Sequence, residues 1–175
     1  MKKLFAVLIL LALIGVGFLV FNKLGGFSDI VVTQSDLGKL ELSGIYFVGT
    51  PTQTELRDAF TRMEAIKNSH SEAHLYTLYY REPAGKLDTM EVFVGVEKKF
   101  VAQDMLQTLI LDASEAIVAT IQAHRFVMPG PTKVKNEIKE YADFASLPRP
   151  VIFVDQIISA DEVRVIGIHK TGKPK

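Results

Sequence analysis

Glu91, Phe93 and Glu97 lie within Met90-Glu91-Val92-Phe93-Val94-Gly95-Val96-Glu97 and have the residue types to handle a ligand or a proton. Strand alternation puts these three on one face and Val92, Val94 and Val96 on the other. A carboxylate within hydrogen-bond reach of a substrate is a general acid or base. An aromatic face beside it holds a cationic group at about 0.5–2 kcal/mol per contact. Glu162-Val163-Arg164-Val165-Ile166-Gly167-Ile168-His169 echoes the stretch, with Gly167 matched to Gly95 and His169 to Glu97. Glycine inside a strand marks a bulge or the close approach of another group, so both strands are expected to border a shared cavity. If the two strand ends meet, Glu97 and His169 form a pair able to move protons. The competing expectation is a solvated strand end, because Lys98 and Lys99 follow at once and such charges seldom stay buried unpaired.

Further aromatic surface comes from Tyr46, Tyr76, Tyr79, Tyr80 and Phe153. Tyr79 and Tyr80 are adjacent and must point to opposite faces of a strand, and the sequence leaves open which one faces a ligand. The candidate ligand-binding set is therefore Tyr46, Tyr80, Glu91, Phe93, Glu97, Phe153 and His169. His70-Ser71-Glu72-Ala73-His74 spaces two imidazoles four apart, but it is not the His-Glu-x-x-His zinc motif and lies at a helix end, so no metal site is expected. The chain has no cysteine, which removes thiolate ligands, disulfides and cysteine nucleophiles together. It has no phosphate-cradling glycine loop, dinucleotide fingerprint or Gly-x-Ser-x-Gly turn. No cofactor and no catalytic residue are assigned.

The elements that must position these residues occupy a chain of 175 residues with 20 basic and 20 acidic side chains. That balance provides no basic field for nucleic acid. Leu4 to Phe21 is uncharged and apolar, about 27 Å as a helix at roughly 1.5 Å per residue, and is expected to be an uncleaved transmembrane anchor over 1–21. Lys2 and Lys3 outweigh Lys23, which places a single-pass protein in the membrane with its domain outside the cytoplasm. Residues 22–29, with Gly25 and Gly26, read as a linker, and 171–175 as a disordered tail.

Between them, 30–170 reads as one domain. Leu40 to Val48 is extended. Thr52 and Glu55 form a candidate capping box for a helix with the stripe Leu56, Ala59, Phe60, Met63 and Ile66. Leu75 to Arg81 and then the Met90 strand follow. The connection from Lys98 to Ser114 fits helix or strand. Ala116 to Phe126 is extended again, followed by a helix with the stripe Val134, Ile138, Tyr141 and Ala145, and then two more strands. The repeats span about 40–97 and 115–169. The fold class is α+β: an N-terminal transmembrane helix, then a duplicated strand-helix-strand-strand domain with both helices on one face of an antiparallel sheet. The uncovered sheet face is expected to receive the ligand.

Tyr46-Phe47-Val48-Gly49-Thr50-Pro51, Leu78-Tyr79-Tyr80-Arg81-Glu82-Pro83, Phe93-Val94-Gly95-Val96 and Pro148-Arg149-Pro150-Val151-Ile152-Phe153 follow one another in an order that resembles the GyrI-like small-molecule-binding domain. That family includes gyrase-inhibitory proteins, effector domains of multidrug-responsive regulators, hydrolases of reactive toxins and a membrane-anchored receptor. The resemblance implies an aromatic-lined cleft between the repeats, with an acid facing a cationic centre. The matching acid position holds Val151, leaving Glu91, Glu97 or Asp155 to supply the carboxylate. The expected function is a membrane-tethered domain that captures a small apolar or cationic molecule, or a protein partner, without catalysis. The alternative is a hydrolase using Glu91 or Glu97 as general base.

Overall fold

The computed structural model describes residues 2–101, 106–169 and 174, with 2–6 and 8 described by backbone alone. Helix α1 (Lys2–Lys23) leads into β1 (Val31–Ser35), β2 (Lys39–Gly49), α2 (Thr54–Ser69), β3 (Leu75–Arg81) and β4 (Met90–Glu97). After a 3-10 turn at Lys98–Phe100 come β5 (Gln107–Asp112), β6 (Ala116–Gln122), α3 (Pro131–Phe144), β7 (Ile152–Ile157) and β8 (Glu162–Ile168). The connection that fits either helix or strand in sequence is thus strand over Leu109 to Leu111. Met105 lies outside the described residues. The tail at 171–175 also lies outside them, except for residue 174.

The eight strands form one sheet in the order β1-β6-β8-β7-β3-β4-β2-β5, and every pairing is antiparallel. Matching β7 to β3, β8 to β4, β6 to β2 and β1 to β5 makes the order read the same from both edges. The duplicated unit is therefore a pseudo-twofold arrangement about the central β3–β7 pair. Met90, Val92, Val94 and Val96 pack with Leu56 and Met63 of α2. Ile117, Ala119, Ile121 and Val165 pack with Val134, Ile138 and Ala142 of α3. The two helices thus share one face of the sheet, each over its own repeat.

The opposite face buries itself. Leu42, Tyr76, Leu78, Phe93, Leu109, Leu111, Val118, Val154, Ile166 and Ile168 form a cluster that contains no helical residue. Such a cluster can be dry only if the sheet curls so that its strands cover one another. Hydrogen bonds between the two crossing connections hold that curl at one end: Leu37 N–H donates to Ala113 O (3.0 Å) and Ala113 N–H to Gly38 O (2.8 Å). Phe93, expected on an open ligand face, is fully buried. Its ring lies over the facing glycines Gly44 and Gly95, where an added Cβ would come within 2.8 and 2.7 Å of it. Here glycine serves close approach of two kinds: the facing backbone, with Val94 O and Gly95 Cα against Gly44 and Ser43 O against Gly95, and the protein's own phenylalanine.

Two expectations at helix starts and ends are corrected. The α2 N-cap is Gln53 rather than Thr52, and it makes no side-chain capping bond. Its Oε1 instead accepts the Thr50 N–H at 3.0 Å. Among the described residues, no helix is long and apolar enough to cross a membrane. The end of α1 also engages its own chain. Phe18 and Phe21 pack on Phe27 at 5.4 and 4.9 Å between ring centroids, and the Leu24 carbonyl accepts the His124 N–H at 2.8 Å. The single-pass anchor over 1–21 is therefore overturned, and with it the membrane localisation and the extracytoplasmic placement built on it.

Candidate functional site

The seven residues singled out in the sequence do not line one cleft. Tyr46, Tyr80 and Glu91 do come together, on the curled face near the end of β4 opposite Glu97. The Tyr46 hydroxyl donates to Glu91 Oε2 at 2.9 Å, Arg81 pairs with Glu91 Oε1 at 3.2 Å, and the Tyr46 and Tyr80 rings meet edge-on at 5.7 Å. Burial, with Tyr46 beside it, pushes the Tyr80 hydroxyl up to about 12. Tyr46 is raised by burial first and then by its bond to Glu91. Both rings pack on the buried cluster that holds Phe93. The arrangement spends the carboxylate on partners already present.

Glu97 forms a second cluster at the opposite end of β4. Its Oε1 bonds His74 Nδ1 at 2.8 Å and accepts from the Tyr76 hydroxyl at 3.2 Å, while Oε2 accepts the His74 backbone N–H at 3.0 Å. Gln156 Nε2 donates to the Tyr76 oxygen at 2.8 Å. Burial and the adjacent Glu97 carboxylate hold Tyr76 well above the usual phenol range. This network fixes how β3 begins. Replacing Glu97 by Gln keeps the shape and loses the charge assistance, so we expect a loss of about 1 kcal/mol, read as an equilibrium unfolding shift.

The two strand ends do not approach, so the Glu97–His169 pair that depended on their meeting does not form. Because β3 and β7 are antiparallel, β8 runs opposite to β4, and the two C-terminal ends lie at opposite ends of the sheet. His169 Nε2 instead bonds the Glu115 carbonyl at 2.9 Å. The glycine match behind that pairing is also one residue out of register. A Cβ on Gly95 would meet Phe93 on the curled face, whereas one on Gly167 would meet Pro150 and Ile138 on the α3 side. A one-residue slip exchanges the faces of every side chain, so His169 is not the counterpart of Glu97.

Phe153 sits on the helix side, packed against the α3 cluster, and there it marks a third grouping. The strand alternation that places Phe153 beside α3 places Asp155 on the same side, directly across from Thr77. Tyr79 lies on that side as well, against the α2 cluster, which settles the orientation of the adjacent tyrosines: Tyr79 faces the helices and Tyr80 the curled side. Thr77, Tyr79, Phe153 and Asp155 thus form the floor between α2 and α3, over the two central strands. Lys135 and Lys139, one turn apart on α3, hold their ammonium groups 5.4 and 5.7 Å from the Phe153 ring centroid. Lys135 is paired with Glu82.

Asp155 differs from the other acids of the sheet. Among the described residues no donor bonds its carboxyl, although the group is half-buried. Burial pushes it up to about 6; Lys135 works against that shift and Glu82 adds to it. The same neighbourhood raises Tyr79, through burial first and then Asp155 and Glu82. An under-partnered, partly desolvated acid between two helices is the kind of group that functional sites hold. The resemblance pointed to an acid in this strand but matched its position to Val151, which is exposed; strand alternation from Phe153 would have led to Asp155. A cavity of about 860 Å³ opens along β2 and β5; the half-buried Glu97 lines it, together with Ser43, Thr108 and the exposed Lys39, Glu41, Lys98 and Lys99.

No family model matches the sequence, and no curated protein matches it. Among solved structures, an integron cassette protein from the mobile metagenome of Vibrio cholerae aligns over 78% of this chain and 94% of its own, at 12% identity and a TM-score of 0.41. A hydrolase from Listeria innocua aligns over 78% of this chain and 90% of its own, at 8% identity and a TM-score of 0.56. At that identity the second likeness shows the fold alone, an α+β domain with a curled antiparallel sheet.

Proposed function

We propose that the chain is a small-molecule-binding domain of the GyrI-like kind, whose ligand lies on the floor between α2 and α3. The observation that carries this reading is Asp155, a half-buried carboxyl with no hydrogen bond among the described residues, across from Thr77 and on the same side of the sheet as Tyr79 and Phe153. The ligand's apolar body would cover the aromatic floor, and a cationic or hydrogen-bonding group would supply the missing partner of Asp155. The symmetric strand order about β3 and β7 supports the reading, because the junction of two repeats is where such a cleft belongs. Glu91 and Glu97 are less suited to the role, since each already accepts hydrogen bonds from its own neighbours.

A thermal-shift screen of small amphiphilic cations and neutral aromatics on the full chain tests this. Hits should lose at least tenfold in affinity, about 1.4 kcal/mol, in Asp155→Asn and in Tyr79→Ala. Hits unaffected by both substitutions would sink the proposal. A hydrolytic version of the reading would use the same floor. Asp155 is held near 6, where a carboxylate is an effective general base, and turnover abolished in Asp155→Asn with binding retained would identify it.

A further inference from the structure

We infer that the molecule taken up on this floor is a small zwitterion, its ammonium group directed to Asp155 and its carboxylate to Lys139. The inference rests on the small-molecule reading above and narrows it to one ligand class. Its first support is the charge count around Phe153. Two ammonium groups, those of Lys135 and Lys139, stand over one ring. Glu82 satisfies Lys135, but Lys139 has no carboxylate partner among the described residues. It is half-buried, its stem along the helix side of the sheet and its ammonium group over the ring, free to meet an anion there.

The second support is placement. Asp155 and Phe153 are successive residues on one face of β7, about 7 Å apart at roughly 3.3–3.4 Å per residue. The ring therefore neighbours both an acid that accepts no hydrogen bond and a base that makes no ion pair among the described residues. A purely cationic ligand would answer Asp155 but leave its charge beside Lys135 and Lys139. A purely anionic ligand would do the reverse at Asp155 and Glu82. A molecule carrying both charges on an apolar body completes each half-buried group without adding net charge, so neither is left desolvated beside an unmatched charge.

The chain has no tryptophan, so indole fluorescence reports the ligand alone. Three probes share that body: tryptophan has both charges, tryptamine only the ammonium and indole-3-propionate only the carboxylate. On the full chain near neutral pH, tryptophan should bind at least tenfold more tightly than either single-charge probe. Lys139→Met should make tryptophan and tryptamine equal, and Asp155→Asn should make tryptophan and indole-3-propionate equal. Methionine is a good helix former, and circular dichroism of the variant checks that α3 persists. If tryptamine matches tryptophan and Lys139→Met changes nothing while Asp155→Asn abolishes binding, the zwitterion inference fails and the small-molecule reading stands. If none of the three binds, the zwitterion inference also fails, and the broader screen then judges the site by itself.

Discussion

Phe93→Ala will lower the unfolding free energy by about 3–5 kcal/mol, the range for removing a fully buried aromatic ring. Against a typical domain stability of about 5–15 kcal/mol, that is a large fraction. The ring is wholly buried among strand residues alone, and the backbone has been shaped around it by glycine on two neighbouring strands. No helix stands by to collapse into the space, so relaxation will be small and the cavity term large. Urea unfolding measures this directly, as a fall in midpoint with unchanged slope. Phe93→Leu, which keeps part of the volume, should lose less. The competing idea, that Phe93 stacks on a ligand, predicts lost binding with little lost stability. A destabilisation below about 1 kcal/mol would favour that idea and mean that the curled face opens.

That contrast shows where the sequence could be read and where it could not. Alternation in Met90 to Glu97 correctly separated the valines from Glu91, Phe93 and Glu97, and the valines do meet α2. In the helix stripes Leu56, Ala59 and Met63, and Val134 and Ile138, are buried as their spacing required, Phe60, Ile66 and Tyr141 are half-buried, and Ala145 is exposed just past α3, where Ala142 takes the buried position. Periodicity says which side chains share a face. It does not say whether a face without helices is wet. Here the curl of the sheet decides that, through pairings between residues far apart in the chain and hydrogen bonds such as Leu37 to Ala113. The match of Gly95 to Gly167 failed for a related reason. Two strands of similar composition align well by letter while being one residue out by face, and only the pairing register distinguishes the two. The apolar N-terminal run illustrates the opposite error, since composition suggested an anchor and no described helix meets the requirement.

Asp155 was legible only as one of three acids that could serve a pocket. Its singularity comes from what surrounds it, and this gives a pH signature of definite sign. Its folded value is raised to about 6 from an ordinary 3.8, chiefly by burial. Below about pH 4 the carboxyl is protonated in both states and carries no penalty. As pH rises from about 4 to 6, the unfolded chain releases this proton while the folded chain keeps it. The native state then binds more protons, and stability falls with pH. Above about pH 6 the folded carboxyl ionises too and the penalty levels off, at no more than about 3 kcal/mol. Partial solvation of the group reduces that ceiling. Other carboxylates titrate in the same range, and Asp143, held low by Arg149, contributes with the opposite sign. The informative quantity is therefore the difference between the wild-type chain and Asp155→Asn. The variant should match the wild type near pH 4 and be the more stable of the two near pH 7.5. A variant that is instead less stable near pH 7.5 would show that the carboxylate has a structural partner, and the site assignment would fall. If the difference appears as expected, a ligand that supplies the missing cation removes the same penalty, so it must stabilise the wild-type chain more at pH 7.5 than at pH 5. That dependence ties binding to one carboxyl, whichever cation the ligand carries.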